Sequence, residues 1–165
     1  MQKLLVSFFV SCLIFSAPQS FASEQKQDAF LSPWGSTCSA ANATASKICV
    51  LERHLFLDKT STRKLLTFGI RTASNEPPVM SIVLPLGVLL PVGVEVGVTK
   101  TPKKLNFLFC DSTGCIAQLR LDDTYLDELS KSKVLNIKYQ PINGKSTLIN
   151  LDISGFGDAY KKVKQ

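Results

Sequence analysis

A chain of 165 residues with 45% hydrophobic residues is long enough for one domain with its own core. Its formal net charge of +6 is spread over scattered residues such as Lys59, Arg63, Lys64, Lys131 and Lys133. No run reaches about five like charges, which argues against a nucleic-acid-binding tail and for a solvated basic surface; the sharper alternative is attraction to an anionic cell surface.

The first element is an export signal. Met1-Gln2-Lys3 supplies a short basic start, residues 4–15 are apolar apart from Ser7, Ser11 and Cys12, and Ser20 and Ala22 are small residues before a cleavage point after Ala22. A membrane anchor would need roughly 20 continuous apolar residues, and Ser and Pro18 break this run. Cys12 sits inside the apolar stretch and is expected to leave with the signal. The chain therefore divides into a signal peptide over 1–22, a polar flexible leader over 23–33 and a single domain over 34–165.

Within the domain, strand-like runs follow one another. Residues 48–57 carry Ile48, Val50 and Leu51, then Leu55, Phe56 and Leu57. Residues 64–72 alternate Leu66, Phe68, Ile70; residues 79–84 are almost all apolar; residues 92–99 alternate Val92, Val94, Val96, Val98. Residues 105–110 and 115–121 flank a tight Asp111-Ser112-Thr113-Gly114 connection. Residues 134–139 and 146–153 each present one apolar face and are joined through Asn143-Gly144, a hairpin signal. About eight strands at this spacing predict an all-β sandwich. Two short helices are expected: residues 125–130, capped by Asp123 or Thr124, and residues 155–163, with Lys161, Lys162 and Lys164 suiting a helix C-terminus.

Pro85 and Pro91 bracket Leu86-Gly87-Val88-Leu89-Leu90. Proline has no N–H for a sheet ladder, so the chain bends here. The bend either passes buried from one sheet to the other or leaves an exposed apolar corner, which would mark a contact surface. The candidate binding surface is Leu86, Val88, Leu89 and Leu90 with the basic Lys100, Lys103 and Lys104 that follow.

Cys38, Cys49, Cys110 and Cys115 remain after cleavage, an even set in an exported chain, and so are expected as disulfides. Cys38–Cys49 and Cys110–Cys115 are favoured because each closes a short local loop, which stabilises by roughly 2–3 kcal/mol in the chain-entropy account. A four-thiolate zinc site would show closer C-x2–4-C pairs. Catalytic dithiols are C-x-x-C at a helix start, whereas four residues separate Cys110 from Cys115 and strands flank them, so a hairpin staple is the expectation.

Other chemistry is sparse. His54, the one histidine, reads as a surface or half-buried strand residue, and no G-x-S-x-G turn accompanies it. Asp122 and Asp123 read as a helix start. Gly87, Gly93 and Gly97 fit no phosphate loop. The expectation is a non-enzymatic protein with no catalytic residues, no metal and no cofactor.

Four motifs, in order, carry a resemblance. Trp34 with Cys38 and Cys49 is similar to a W…C…C opening. Leu84-Pro85-Leu86-Gly87-Val88, leading to Gly93-Val94, is similar to an L-P-L-G-V…G-V segment. Cys110 through Gly114-Cys115-Ile116-Ala117 resembles C…G-C-x-A, and Gly155-Phe156-Gly157-Asp158-Ala159 resembles a closing G-F-x-x-A. In these the chain resembles the invasion-associated locus B proteins, exported proteins of alphaproteobacteria. Pro33 stands where that family often has an acidic residue, and Glu52 where it often has Gln. The resemblance implies an immunoglobulin-like β-sandwich located in the periplasm or at the cell surface and outer membrane. It implies a link to host-cell entry, especially of red blood cells, and no catalytic residues. The expected partner is a host-cell-surface or envelope macromolecule, with peripheral outer-membrane association and no nucleic acid. The rival expectation is a periplasmic housekeeping module or small-ligand binder.

Overall fold

Side chains alternate across a strand, so burial along each strand shows which face is covered. The computed structural model describes residues 29–40, 47–60 and 62–164; the export segment 1–22 and leader residues 23–28 lie outside the described residues. The larger sheet contains β1 (Phe30–Leu31), β2 (Gly35–Ser39), β3 (Ile48–Phe56), β4 (Lys64–Ala73), β5 (Glu76–Leu84), β8 (Phe107–Asp111) and β9 (Gly114–Arg120). The smaller contains β6 (Val94–Gly97), β7 (Lys103–Leu105), β10 (Val134–Tyr139) and β11 (Thr147–Asp152). The orders are β1-β3-β4-β5-β9-β8, with β2 sharing the β3 edge, and β11-β10-β6-β7.

Leu66, Phe68 and Ile70 of β4, Met80, Ile82 and Leu84 of β5 and Ala117 of β9 are buried, as are Val94, Val96, Leu135, Ile137 and Leu151 of the smaller sheet. They form one core between the sheets. Each of these side chains other than that of Ala117 stabilises by about 1.5–3 kcal/mol relative to exposure, and a one-residue slip would turn a whole strand's apolar set to water. The molecule is an all-β sandwich with two short helices, as expected.

The strands are more numerous than expected, for local reasons. The run 105–110 divides at Asn106: Leu105 pairs with Val94 in the smaller sheet and Phe107 with Ala117 in the larger, so the chain changes sheets there. Pro91 converts Leu90–Val92 into a single 3-10 turn and delays β6 to Val94. Strands β1 and β2 have no apolar alternation; they exist because their backbones pair with the edge of β3. Thus Phe30–Leu31, within the expected leader, joins the sheet.

Helix α1 (Asp123–Lys131) is capped by Asp122 rather than Asp123 or Thr124: its carboxylate accepts from the Tyr125 N–H at 2.7 Å. The Leu121 N–H is still bound to the Pro78 carbonyl, so Asp122 is the first residue free to turn. Helix α2 (Phe156–Lys161) buries Phe156 and Tyr160. The Thr72 hydroxyl, buried in β4, donates to the Val163 carbonyl at 2.8 Å and fixes the chain beyond α2 to the larger sheet.

Candidate functional site

Both expected disulfides are present, Cys38–Cys49 and Cys110–Cys115. Each joins residues directly opposite in antiparallel strands. The second closes the β8–β9 hairpin, whose turn is set by Asp111: its carboxylate accepts from the Thr113 N–H and hydroxyl at 2.7 and 2.6 Å. The Thr113 hydroxyl and N–H hold that carboxyl below its ordinary range. Gly114 takes φ +140, and a side chain there would run into the Leu84 carbonyl of β5.

Near the chain ends, Arg53 ties three segments together. Its Nε donates to the Ser32 carbonyl at 2.9 Å, and Nη1 donates to the carbonyls of Asp152 at 2.9 Å and Ser154 at 3.4 Å. Its guanidinium lies 5.1 Å from the Trp34 ring centroid. Trp34 Nε1 also donates to the Ser154 carbonyl at 3.0 Å, and its ring packs on Phe68 and Phe156. Asp152 accepts from the Ser154 N–H, and the Ser154 hydroxyl and N–H hold its carboxyl below the ordinary range. Trp34 and the Gly155-Phe156 pair therefore meet in space, as parts of a structural clamp.

The Pro-bracketed corner is both a crossing between sheets and an exposed surface. Val88 is only 6% exposed, whereas Leu86 and Leu90 are 62% and 49% exposed. Leu89 is half-buried. As a contact residue Val88 is therefore corrected: it is the anchor of the corner, inward-facing because it bridges to Pro141. The Leu89 N–H donates to the Gln140 carbonyl and the Ile142 N–H to the Gly87 carbonyl, both at 2.7 Å. This docking places Ile142, 62% exposed, beside Gly87 in the corner, and Val92, 39% exposed, ends the 3-10 turn that follows it. Sequence reasoning missed Ile142 because it lies beside Asn143-Gly144 and reads as part of a turn; a large aliphatic residue in such a turn was the available signal.

The lysines are not gathered at the corner. Lys104 stands opposite Glu95 and Lys103 opposite Val96, so they run down β7 away from it, and Lys100 lies beyond the other end of β6. The Lys103 ammonium sits 5.2 Å from the Tyr125 ring centroid.

Beside the corner, a cleft of about 580 Å³ opens on the outer face of the larger sheet. Its lining includes Lys64, Thr67, Val83, Pro85, Leu86 and His54. His54 Nδ1 is 3.0 Å from the Thr67 hydroxyl and Nε2 is 3.7 Å from the Glu52 carboxylate. Its pKa is lowered, first by burial, then by the Lys64 charge, against the opposing pull of Glu52.

These features define a disulfide-stapled all-β sandwich with an apolar corner projecting from it. The chain belongs to the invasion associated locus B (IalB) family, whose profile matches residues 34–164. Among solved structures it is similar to the crystal structure of invasion associated protein B from Bartonella henselae. That likeness has 17% identity, a TM-score of 0.64 and coverage of 81% of this chain and 94% of the other, and it shows the shared fold. No curated protein matches the chain.

Proposed function

We propose that this protein is an exported, non-enzymatic binding module that supports host-cell (erythrocyte) invasion or envelope function by engaging a macromolecule outside the cytoplasm. The observation that carries the reading is the corner where Leu86, Leu90, Val92 and Ile142 are held toward solvent by backbone hydrogen bonds. A folding core does not need these side chains there, and clustered exposed apolar residues mark contact surfaces. The two disulfides support an oxidising compartment, and the start of the chain supports the export route. The non-enzymatic part rests on the sequence, which carries one histidine and no nucleophile turn.

The second reading is a periplasmic accessory module or small-ligand binder with an indirect role in invasion; the cleft beside His54 favours it. A deletion strain complemented with the wild-type chain or with a Leu86→Ser/Ile142→Ser variant separates the two. The first reading expects the variant to be exported and folded yet to lose host-cell entry, with normal permeability in host-free culture. A permeability or envelope-stress defect in host-free culture, with entry restored by the variant, would sink it. Protease shaving of intact cells then reports whether the corner faces the exterior.

A further inference from the structure

We infer that the cleft between the start of β4, the end of β5 and the β8–β9 turn is a binding site for a small free anion carrying an apolar group, such as a medium-chain carboxylate. It needs no macromolecular partner, although Leu86 lies on the rim it shares with the corner.

The two halves of such a ligand are matched by the two sides of the cleft. Val83, Pro85 and Leu86 supply an apolar wall, with Leu86 left 62% exposed. Thr62, Arg63 and Lys64 stand at the same end of the sheet, because β4 begins where β5 ends. Thr67, Ser112 and Thr113 complete the lining. A volume of about 580 Å³ lies within the usual range for small-molecule sites, which combine apolar walls with a few polar groups.

The carboxylate in the cleft does not cancel its positive end. Glu52 pairs with Gly69 and lies over it, where the missing side chain leaves room; His54 pairs with Thr67, and Lys64 lies further along β4. The order along the strands is therefore Glu52, His54, Lys64, with acid and base on opposite sides of the imidazole. Burial and then the Lys64 charge lower the His54 pKa, against the opposing pull of Glu52. When the Thr67 hydroxyl donates to Nδ1, Nε2 carries the ring proton and faces the Glu52 carboxylate at 3.7 Å, which leaves Lys64 as the group that meets the anion.

His54 is the one histidine in the chain, so its ring C–H signal is an unambiguous NMR reporter. The probe is octanoate, titrated into the full mature protein, with 1-octanol and inorganic phosphate as half-ligand controls. Saturable shifts are expected at Thr67, Val83 and Leu86 with octanoate. The charged groups facing His54 are Glu52, Lys64 and the neighbouring Arg63, so a bound anion should raise the His54 titration midpoint. By linkage, octanoate then binds more tightly at mildly acidic pH than at neutral pH, by the same factor. Lys64→Ala should weaken octanoate about fivefold, the effect expected for losing an exposed ion pair, and Leu86→Ser should weaken it while the fold remains intact. Phosphate alone and octanol alone should bind less well than octanoate. The inference is overturned if octanoate gives no saturable shift, if octanol shifts the same signals as strongly, or if Lys64→Ala binds octanoate as wild type does.

Discussion

Replacing Arg53 with Ala tests whether one side chain holds the chain ends onto the sandwich. The variant loses the part-buried bond to the Ser32 carbonyl and the more exposed bonds to the Asp152 and Ser154 carbonyls. The exposed acceptors recover water, so they contribute at the low end of the scale; the Ser32 bond, made by a charged donor, contributes near 1.5 kcal/mol. The stacking on Trp34 adds about 0.5–1 kcal/mol. The expected loss is about 2–3 kcal/mol, or a drop in melting temperature of about 6–9 °C for a domain of this size. Arg53→Lys keeps the charge over the ring but has no planar fork to reach carbonyls in different directions, and should recover only part of the loss. Thermal and urea unfolding by circular dichroism give the size, and amide exchange gives the place. Protection should fall first in the pairing of Phe30–Leu31 with β3, before the Phe68 and Ile82 strands. An Arg53→Ala protein melting within about 1 °C of wild type, or losing protection evenly, would refute the clamp.

Removing Cys38–Cys49 by paired alanine changes should cost about 3 kcal/mol and removing Cys110–Cys115 about 2, because the first closes the longer loop. Urea unfolding checks the order, and a larger loss from the second pair would contradict it. Val88→Ala should cost about 2 kcal/mol through a lost buried contact, whereas Leu86→Ala should stay within about 0.5 kcal/mol; melting curves of the pair separate anchor from surface. Burial raises the titration of all three tyrosines, Tyr125 to about 12, with Tyr139 and Tyr160 shifted in the same direction. A phenol whose folded pKa is raised stabilises the protein fully below the unfolded value near 10 and loses that contribution as pH rises through the folded value. Ultraviolet titration of the native protein should therefore show less phenolate at pH 10 than the unfolded chain does, with Tyr125 ionising last.

What the sequence could reveal depended on which force placed each residue. Strands β4 and β10 were readable because Leu66, Phe68, Ile70, Leu135 and Ile137 are buried in alternation, and β5 because residues 79–84 are a nearly continuous apolar run; burial is written in side-chain hydrophobicity. Strand β2 was not, because Gly35, Ser36 and Thr37 are exposed and held by backbone pairing. The break at Asn106 was hidden for a related reason: apolar residues continue through it, but into two different sheets. At the corner, the prolines announced a bend without showing which residue would turn inward. That choice belongs to Pro141, distant in sequence, whose bridge buries Val88.

The corner separates holding from contacting. Its backbone bonds, Leu89 to Gln140 and Ile142 to Gly87, use main-chain atoms, and its anchor is Val88. Leu86, Leu90 and Ile142 contribute little to that support, so their side chains are free to answer to a partner rather than to the fold. The positive charge of β7 is a different case. Lys104 stands opposite Glu95 in register, and the Glu95 carboxylate meets the Lys138 ammonium of β10 at 3.3 Å, so a carboxylate lies among the basic residues of the smaller sheet. A partner using both the corner and Lys100 would have to run the length of β6 and the turn beyond, at about 3.4 Å per residue. The economical arrangement is an apolar contact centred on Leu86, Leu90 and Ile142, with the basic residues acting at a distance on approach. Salt should then slow association without greatly changing the lifetime of the complex, whereas Leu86→Ser should shorten the lifetime.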